Sequence, residues 1–408
     1  MTTLLKQYFI ITGTYWAFTI TDGALRMLVI LYFHGLGYSA FEIAMLFLFY
    51  EFFGVVTNLV GGWLGAHLGL NKTMQIGLAL QILALAMLTV ADSLLSVPYV
   101  MLAQALSGIA KDLNKMSAKS SIKLLMPEQN QQGKLYKWVA ILTGSKNTLK
   151  GAGFFIGAAL LTGFGFQQSM LIMLLALSLT LFLSITLLHR DLGKAKSKPK
   201  FKHIFSKSHA INTLSLARMF LFGARDIWFV IALPVYLQQV LNWSNTQVGS
   251  FMAIWIIAYG IVQAIAPAIT NNKKSQVPDG KTALFWSMLL TMIPVLIAWQ
   301  MNNPVFDNFI NNTKINNTEI VIVLGLMLFG AIFAINSSLH SFLILKYSRG
   351  DRVSLDVGFY YMANAMGRLL GTILSGLLFQ WYGLELCLIF SSVFLLMTTI
   401  ISFRLPRN

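Results

Sequence analysis

The chain of 408 residues consists mainly of apolar stretches that are each long enough to cross a lipid bilayer as a helix. Hydrophobic residues make up 56% of the sequence and charged residues only 11%, whereas soluble globular proteins carry about 25% charged residues. A soluble domain of this composition would have too few polar side chains to cover its surface. The composition therefore excludes a soluble enzyme and a disordered or fibrous protein, and it predicts an all-α membrane protein with many spans.

Twelve apolar stretches can be separated, since one span needs about 20 residues. The first is too long for the apolar part of a cleavable signal peptide and is followed directly by the second, so we expect it to remain a spanning helix. The predicted spans 1 to 12 cover residues 7–34, 40–66, 72–92, 97–122, 137–163, 168–189, 209–240, 246–271, 281–301, 319–345, 354–382 and 384–404.

The positions of the thirty Lys and Arg residues orient these spans. With the N-terminus in the cytoplasm, twenty lie on the cytoplasmic side, Lys314 lies in an outside loop, and nine lie within spans. This bias follows the positive-inside rule and predicts that both termini are cytoplasmic. The longest basic segment, 190–208, divides the chain into two six-helix bundles, 1–189 and 209–408. We expect this segment to be a cytoplasmic linker, with binding to anionic lipid headgroups as the alternative.

The two predicted bundles are weakly similar to each other. The sequence LGYSAFEIAMLFLFYEFFG at the start of span 2 aligns with LNWSNTQVGSFMAIWIIAYG at the start of span 8. The matched pairs are Ser39 with Ser244, Asp22 with Asp226 (after one gap), Gly108 with Gly330, and Asn114 with Asn336. Repetition of this kind is typical of secondary transporters, in which two bundles rock around a site at the membrane midplane.

Nine basic residues lie inside the predicted spans. Nine cations facing lipid would cost on the order of 20–30 kcal/mol, so they must face a wet cavity or pair with acids. Four acids are embedded away from the ends of the spans, with Asp356 near a helix end as a fifth, and about four positive charges therefore remain in excess. Such a cavity favours a multivalent anion as substrate. The cations are Arg26, Lys111, Lys115, Lys119, Lys146, Lys150, Arg218, Arg225 and Arg368, and the acids are Asp22, Glu51, Asp112 and Asp226.

Three lysines of span 4 follow one another at intervals of four residues. Lys111, Lys115 and Lys119 therefore share one helix face over about 12 Å, which predicts a basic path from the midplane to the cytoplasm. Lys119 lies near the exit, where snorkelling to the interface is the alternative. Lys146 and Lys150 repeat the same spacing in span 5.

Arginines at mid-depth complete the predicted anion site. Arg26, Arg225 and Arg368 lie at similar depth in spans 1, 7 and 11. The planar guanidinium group suits two-point contact with phosphate or arsenate oxygens. Arg218 lies closer to the cytoplasm, where snorkelling is an equal alternative, so it is not among the predicted substrate-binding residues.

Two of the acids stand close to arginines in the sequence. Asp22 and Arg26 are one helical turn apart, so a local ion pair is the simplest interpretation, and pairing across the cavity or proton transfer is the alternative. Asp226 directly follows Arg225, so we expect the two side chains to point to different faces of span 7.

Other polar groups have less specific interpretations. Glu51 in span 2 is expected to be neutral, paired with a cavity lysine, or a proton site. Asp112 is expected to balance Lys115 three residues later. His340 is a weak candidate for proton coupling, and Asn336 is a candidate for the hydrophilic lining, although such groups often serve helix packing instead.

Few other chemistries are compatible with the sequence. Cys387 is the only cysteine, which excludes a disulfide framework and a multi-thiolate metal site, and we expect no metal and no cofactor. The net charge of +16 is distributed between cytoplasmic loops and the spans, so nucleic acid is not expected as a partner. A membrane-embedded enzyme such as a lipid phosphotransferase is a remote alternative, because no cluster of His and acidic residues lies near a surface.

The segment GGWLGAHLGLNK between spans 2 and 3 resembles the loop motif of the major facilitator superfamily. Gly62, Leu64, Gly69 and Lys72 fit this motif, whereas Ala66 replaces its usual acid. That departure puts in doubt the gate contact normally attributed to the acid. Glycines of span 5 resemble the antiporter motif of the same superfamily, with Ala158 in place of its proline; they are Gly144, Gly153 and Gly157.

A more specific resemblance is to the ArsJ family of organoarsenical efflux permeases. It is carried by YWAFTITDGALRMLVILYFH, FLFYEFFGVVTNLVGGWLGA, QALSGIAKDLNKMSAKSSIKLL and LTGSKNTLKGAGFF, and it is dense over residues 8–157. The resemblance implies export of 1-arseno-3-phosphoglycerate, which a cytoplasmic glyceraldehyde-3-phosphate dehydrogenase makes with arsenate. It also implies a bacterial inner-membrane location and a role in arsenate resistance.

Charge and resemblance together predict rocker-switch efflux by a monomer. Export of an anion from a negative interior is favourable by about 2.3 kcal/mol per charge per 100 mV, so uniport is sufficient for a cargo of about three charges. Proton antiport through Asp22, Glu51 or Asp226 remains open. The main alternative function is exchange of an ordinary organic phosphate for inorganic phosphate, which the charge pattern fits equally well.

Overall fold

The computed structural model describes residues 3–125, 132–188, 208–270, 278–302, 317–348 and 353–407. Regular structure in these ranges is helical throughout, and the predicted linker 190–208 lies outside them apart from its last residue. The helices are α1 (Thr3–Gly35), α2 (Ala40–Leu46), α3 (Leu48–Leu68), α4 (Leu70–Met87), α5 (Val97–Leu125), α6 (Gln132–Leu187), α7 (His209–Phe229), α8 (Ala232–Gln239), α9 (Asn245–Thr270), α10 (Gly280–Asn302), α11 (Asn317–Tyr347) and α12 (Val353–Ser402).

Nine helical stretches among the described residues are long and apolar enough to cross a membrane. Two of these, Thr143–Leu187 and Asp356–Ser402, contain 45 and 47 residues, about twice the length that one crossing needs. α5 is also long, but it carries Lys111, Lys115 and Lys119 and is too polar to be among the nine. An all-helical, multi-pass membrane protein is therefore confirmed, whereas twelve crossings and two cytoplasmic termini stay predictions.

Single glycines divide the two longest helices at the predicted boundaries between spans. Gly165 in α6 and Gly383 in α12 both have φ of 74°, a conformation that only glycine adopts without strain. A Cβ atom at either position would meet no other atom within 4 Å, so the backbone angle alone requires glycine there. Each long helix therefore consists of two helical segments, which correspond to spans 5 and 6 and to spans 11 and 12.

Predicted span 7 is interrupted after α7. The residues between α7 and α8 are Val230 and Ile231, and Pro234 lies four residues after Val230. A proline ring clashes with the carbonyl group four residues earlier and supplies no N–H donor, so it breaks the helix at this point. The predicted span 209–240 agrees with the candidate membrane span His209–Gln239, but its helix is divided into α7 and α8, for which Pro234 gave the signal.

The internal repeat is visible in the helix caps. Ser39 Oγ accepts from the backbone N–H of Glu42, and a carboxylate oxygen of Glu42 accepts from the backbone N–H of Ser39, 2.8 Å away. The aligned Ser244 and Gln247 exchange the same two bonds at the start of α9. Reciprocal bonds of this type satisfy N–H groups that have no partner within the helix.

The repeat also extends to the packing of aligned glycines. Gly108 of α5 lies directly against the backbone of Tyr50 in α3, and Gly330 of α11 lies against the ring of Trp255 in α9. Tyr50 and Trp255 are themselves aligned in the repeat, so equivalent helices of the two bundles pack through equivalent positions. Two structurally related halves are what alternating access requires.

Close helix contacts fix the positions of the charged side chains. A Cβ atom on Gly371 of α12 would lie 2.7 Å from the carbonyl oxygen of Gly223 in α7. A Cβ atom on Gly157 of α6 would lie 2.8 Å from the Cα atom of Ala24 in α1. Small residues at such crossings are typical of membrane helix packing. They bring α1 against α6 and α7 against α12, and these four helices carry most of the embedded charges.

Candidate functional site

A cavity of about 100 Å³ lies between the two bundles. Eight of the nine embedded cations line it, and the side chain of the ninth, Lys119, lies outside the part of the chain that is described. The eight are Arg26, Lys111, Lys115, Lys146, Lys150, Arg218, Arg225 and Arg368. The structure therefore brings together cations that the sequence places on helices α1, α5, α6, α7 and α12.

Glu51 of α3 is fully buried and bonds to cations of both bundles. Its Oε1 atom accepts from Nη2 of Arg26 at 2.7 Å and from Nη2 of Arg368 at 2.5 Å. The Nζ atom of Lys111 lies 3.9 Å from Oε2. Of the three sequence interpretations, pairing is therefore the one that the structure shows, and the partners include two arginines. The bond to Arg368 joins the first bundle to the second.

Asp22 pairs with α6 and not with its neighbour in the sequence. Lys150 Nζ lies 3.3 Å from Oδ2 of Asp22, and the hydroxyl of Tyr50 donates to Oδ1 at 2.6 Å. The expected local pair with Arg26 is therefore wrong, because the close α1–α6 packing places Lys150 beside Asp22 while Arg26 reaches Glu51. The alternative of pairing across the cavity is the one that the structure supports.

Asp226 bonds to two arginines of the second bundle, Arg225 and Arg368. Nε of Arg225 donates to Oδ1 at 2.6 Å, and Nε of Arg368 donates to Oδ2 at 3.1 Å. The expectation that Arg225 and Asp226 point apart is wrong, since the long arginine side chain folds back onto its neighbour. Asp226 with Arg368 repeats the arrangement of Asp22 with Lys150 in the first bundle.

Asp112 pairs with Lys115 on α5, which confirms the predicted partner. Nζ of Lys115 donates to Oδ1 of Asp112 at 2.8 Å and to Oδ1 of Asn58 at 2.8 Å. Lys111 lies 3.7 Å from the other oxygen of Asp112. Asp112 therefore neutralises part of the charge of Lys111 and Lys115, and an excess of positive charge remains on this helix face.

Arg218 lines the cavity, although it is not among the predicted substrate-binding residues. It is only 3% exposed, so it does not snorkel. Its Nε donates to Oδ1 of Asn364 at 2.8 Å, and its Nη1 donates to the carbonyl oxygen of Ser337 at 3.1 Å. A usable signal was present, because residues seven apart share a helix face and Arg218 stands seven before Arg225.

Aromatic rings cover several of the buried cations. Nζ of Lys111 lies 3.8 Å from the ring centre of Tyr50, and Nζ of Lys115 lies 4.3 Å from that of Tyr361. The guanidinium carbon of Arg218 lies 3.8 Å from the ring centre of Phe222. A ring face attracts a desolvated cation. These contacts stabilise the charges without neutralising them.

The balance of charge in the cavity is positive. Asp22 and Asp112 line it, and Glu51 and Asp226 bond to cations that line it. Eight cations against these four carboxylates leave four positive formal charges in excess. In a region of low dielectric such an excess binds an anion strongly. Among the described residues there is no cluster of three His, Cys, Asp or Glu side chains that is suited to a metal ion.

Two predicted site residues neither line the cavity nor bond to a cation that lines it. The side-chain amide of Asn336 donates to the carbonyl oxygens of Trp286 and Ile332, so it serves helix packing. His340 is fully buried, and neither ring nitrogen has a hydrogen-bond partner among the described residues. Asn147, in contrast, lines the cavity and donates to Gln263 of the other bundle at 2.6 Å.

The family of this chain can be assigned from its similarity to known proteins. The sequence model of the Major Facilitator Superfamily matches residues 9–304 and 214–408, and no curated protein matches the chain significantly. The human organic anion transporter MFSD10 (TETRAN) has a similar structure, with a TM-score of 0.68, 13% identity, and coverage of 98% of this chain and 100% of that one.

A second solved structure is similar over the same length. A bacterial homologue of the iron transporter ferroportin, in an outward-facing state, gives a TM-score of 0.68 and 17% identity, with 99% of each chain covered. Identities this low support the fold and not the substrate. The match of the family model covers nearly the whole chain, and the chain is therefore a transporter of the major facilitator superfamily.

Proposed function

We propose that this transporter exports an anionic organoarsenical, 1-arseno-3-phosphoglycerate, from the cytoplasm by alternating access and thereby confers arsenate resistance. The observation that carries the proposal is the cavity with four excess positive charges between the bundles. The identity of the cargo rests on the resemblance of residues 8–157 to organoarsenical efflux permeases. Phosphate and acyl-arsenate groups are both oxyanions, and arginine and lysine are suited to bind them.

The ion pairs suggest how the binding of cargo allows the transporter to leave its empty conformation. Arg368 bonds to Glu51 of the first bundle and to Asp226 of the second. An oxyanion that binds Arg368 competes with both carboxylates, so its arrival weakens the Glu51–Arg368 bond between the bundles. The anion also offsets the repulsion among the remaining cations. Both effects lower the barrier to rearrangement only when cargo is present.

The arsenic atom itself has no soft ligand in this cavity. Trivalent arsenic is captured by thiolates, whereas Cys387 is buried beside the backbone of Ser375 and is not among the residues that line the cavity. The cavity offers hard cationic donors instead. This chemistry favours a pentavalent, oxyanion-like arsenical.

The proposed setting follows from the same resemblance. We place the protein in the bacterial inner membrane as a monomer, where it would receive cargo made by a cytoplasmic glyceraldehyde-3-phosphate dehydrogenase. The membrane potential is a sufficient driving force, because each exported charge gains about 2.3 kcal/mol per 100 mV. Asp22, Glu51, Asp112 and Asp226 remain candidates for coupling to protons, and all four are engaged with cations.

The proposal can be tested in proteoliposomes that enclose the dehydrogenase, glyceraldehyde 3-phosphate, arsenate and NAD⁺, which accepts the hydride when the aldehyde is oxidised to the acyl arsenate. With an imposed potential and no pH gradient, we expect arsenic to appear outside, and we expect Lys111→Ala to abolish the flux. Lys281→Ala is the matched control, because this exposed lysine does not line the cavity. Flux that requires a pH gradient would exclude uniport, and no flux under any gradient would exclude the proposed function.

Exchange of an ordinary organic phosphate for inorganic phosphate is the second candidate. It is favoured by the same observation, since nothing in the donor set of the cavity distinguishes phosphorus from arsenic. Competition between 3-phosphoglycerate and its arsenylated form in the same vesicles separates the two functions. Equal inhibition by both compounds, together with counterflow of inorganic phosphate, would favour the exchanger.

A further inference from the structure

The cations of the cavity are arranged in two groups along the helix axes. The first group, here called the central cluster, is joined by Glu51, Asp22 and Asp226; its cations are Arg26, Lys111, Lys150, Arg225 and Arg368. Arg218 lies seven residues before Arg225 on α7, which is a rise of about 10 Å. On α12, Tyr361 likewise lies seven residues before Arg368, which is again a rise of about 10 Å.

The surroundings of Arg218 differ from those of the central cluster. Its acceptors, Asn364 and Ser337, are both neutral, and among the described residues it forms no ion pair. These bonds use Nε and Nη1, and they hold the planar group in a fixed orientation. Nη2 donates to no other described residue, although the side chain lines the cavity. A buried, oriented and uncompensated guanidinium is costly unless an anion completes it.

The excess of positive charge is divided evenly between the two groups of cations, which lie at two levels along the helix axes. The central cluster has five cations and three carboxylates, which leaves two positive charges in excess. Lys115 and Lys146 each lie one turn from a lysine of the central cluster, toward the level of Arg218. Among the residues that line the cavity, Arg218, Lys115 and Lys146 are the cations at that level and Asp112, which bonds to Lys115, is the carboxylate, so the formal charge of this second group is +2. The excess is therefore distributed as two separate centres.

We propose that Arg218, Asn364 and Ser337 form a second oxyanion subsite, which binds one end of a substrate whose other end occupies the central cluster. This inference rests on the proposed function and narrows it. The substrate class is a short organic molecule with an oxyanion at each end, the two separated by no more than about 10 Å. A single phosphate or arsenate ion occupies only one of the two centres.

The test compares two probes on the purified full-length protein. Propane-1,3-diol bisphosphate carries two oxyanions, and propyl phosphate carries one. On the wild-type protein we expect the bisphosphate to bind at least tenfold more tightly, which is the ratio that one charge-assisted hydrogen bond provides. Arg218→Gln should lower the affinity for the bisphosphate tenfold or more and change the affinity for propyl phosphate by less than twofold.

Two control variants and one substitute variant keep the test decisive. Lys281→Gln removes one exposed charge outside the cavity and should alter neither affinity. Arg218→Lys keeps the charge without the planar fork and should recover part of the bisphosphate affinity. If Arg218→Gln is not monodisperse, Asn364→Ala removes the acceptor of Nε and should weaken the bisphosphate selectively.

The possible outcomes separate the inference from the proposed function. If the wild-type protein binds neither probe, the proposed anion transport fails. If it binds both probes equally, or if Arg218→Gln weakens both equally, the second subsite is refuted while anion transport stands. Selective loss of the bisphosphate supports the subsite.

Discussion

Replacement of Glu51 by Gln should make the empty transporter less stable and make its stability depend on phosphate. Glu51 is fully buried, and Arg26, Arg368 and Lys111 all lie within 4 Å of its carboxylate. Glutamine has nearly the same shape but no charge, so the substitution leaves three buried cations without their shared partner. The packing of α3 should be preserved.

The expected loss of stability is large. Removing one partner of a buried ion pair costs about 3–5 kcal/mol, because the remaining charge stays buried without compensation. Phosphate can replace part of the missing charge, and it no longer has to displace a carboxylate from Arg26 and Arg368. A ligand at a hundred times its Kd stabilises the folded state by about 2.7 kcal/mol. Phosphate should therefore recover roughly half or more of the loss.

Thermal unfolding in detergent measures this effect, with phosphate compared against chloride at equal ionic strength. Glu42→Gln is the matched control, because Glu42 is an exposed capping residue that contacts no cavity cation. It should lower stability slightly and equally in both salts. If phosphate stabilises the Glu51→Gln protein no more than the wild type, then the carboxylate does not compete with anions for the arginines.

Three further predictions use simpler assays. Lys111→Ala or Arg368→Ala should abolish arsenate resistance in cells at normal expression, and wild-type resistance in both would remove them from the site. Gly157→Leu should prevent monodisperse purification because its side chain would enter the backbone of α1, whereas Gly163→Ala should be tolerated since no atom lies within 4 Å there. His340→Gln should leave the pH dependence of transport unchanged because the ring is buried and does not line the cavity, and a shifted pH profile would contradict this.

Helix positions were predictable because lipid imposes length and hydropathy on each span. Predicted span 8, 246–271, corresponds to α9 at Asn245–Thr270, and its start is fixed by the capping residue Ser244, which the repeat aligns with Ser39. Gly165 and Gly383 separate consecutive spans where the hydropathy pattern falls. The break at Val230 was missed because hydropathy does not report the loss of a single N–H donor at Pro234.

Ion-pair partners were much less predictable than the convergence of the cations. The cost of a charge in lipid requires a shared wet cavity regardless of packing details, and eight cations do line one. Which acid bonds to which base depends on contacts between helices that are far apart in sequence. Asp22 bonds to Lys150 of α6 and Glu51 bonds to Arg368 of α12, separations of 128 and 317 residues.

The departure from symmetry between the bundles explains why Glu51 is central to the cavity. Asp22 with Lys150 and Asp226 with Arg368 are equivalent pairs of the two halves. The repeat aligns Glu51 with Ile256, which also lines the cavity and has no charge. A second carboxylate at that position would neutralise one more cation and hold the bundles together by a second ion pair. With a single carboxylate there, one ion pair among the described residues joins the halves, through Arg368, and the positive excess that attracts an anion is preserved.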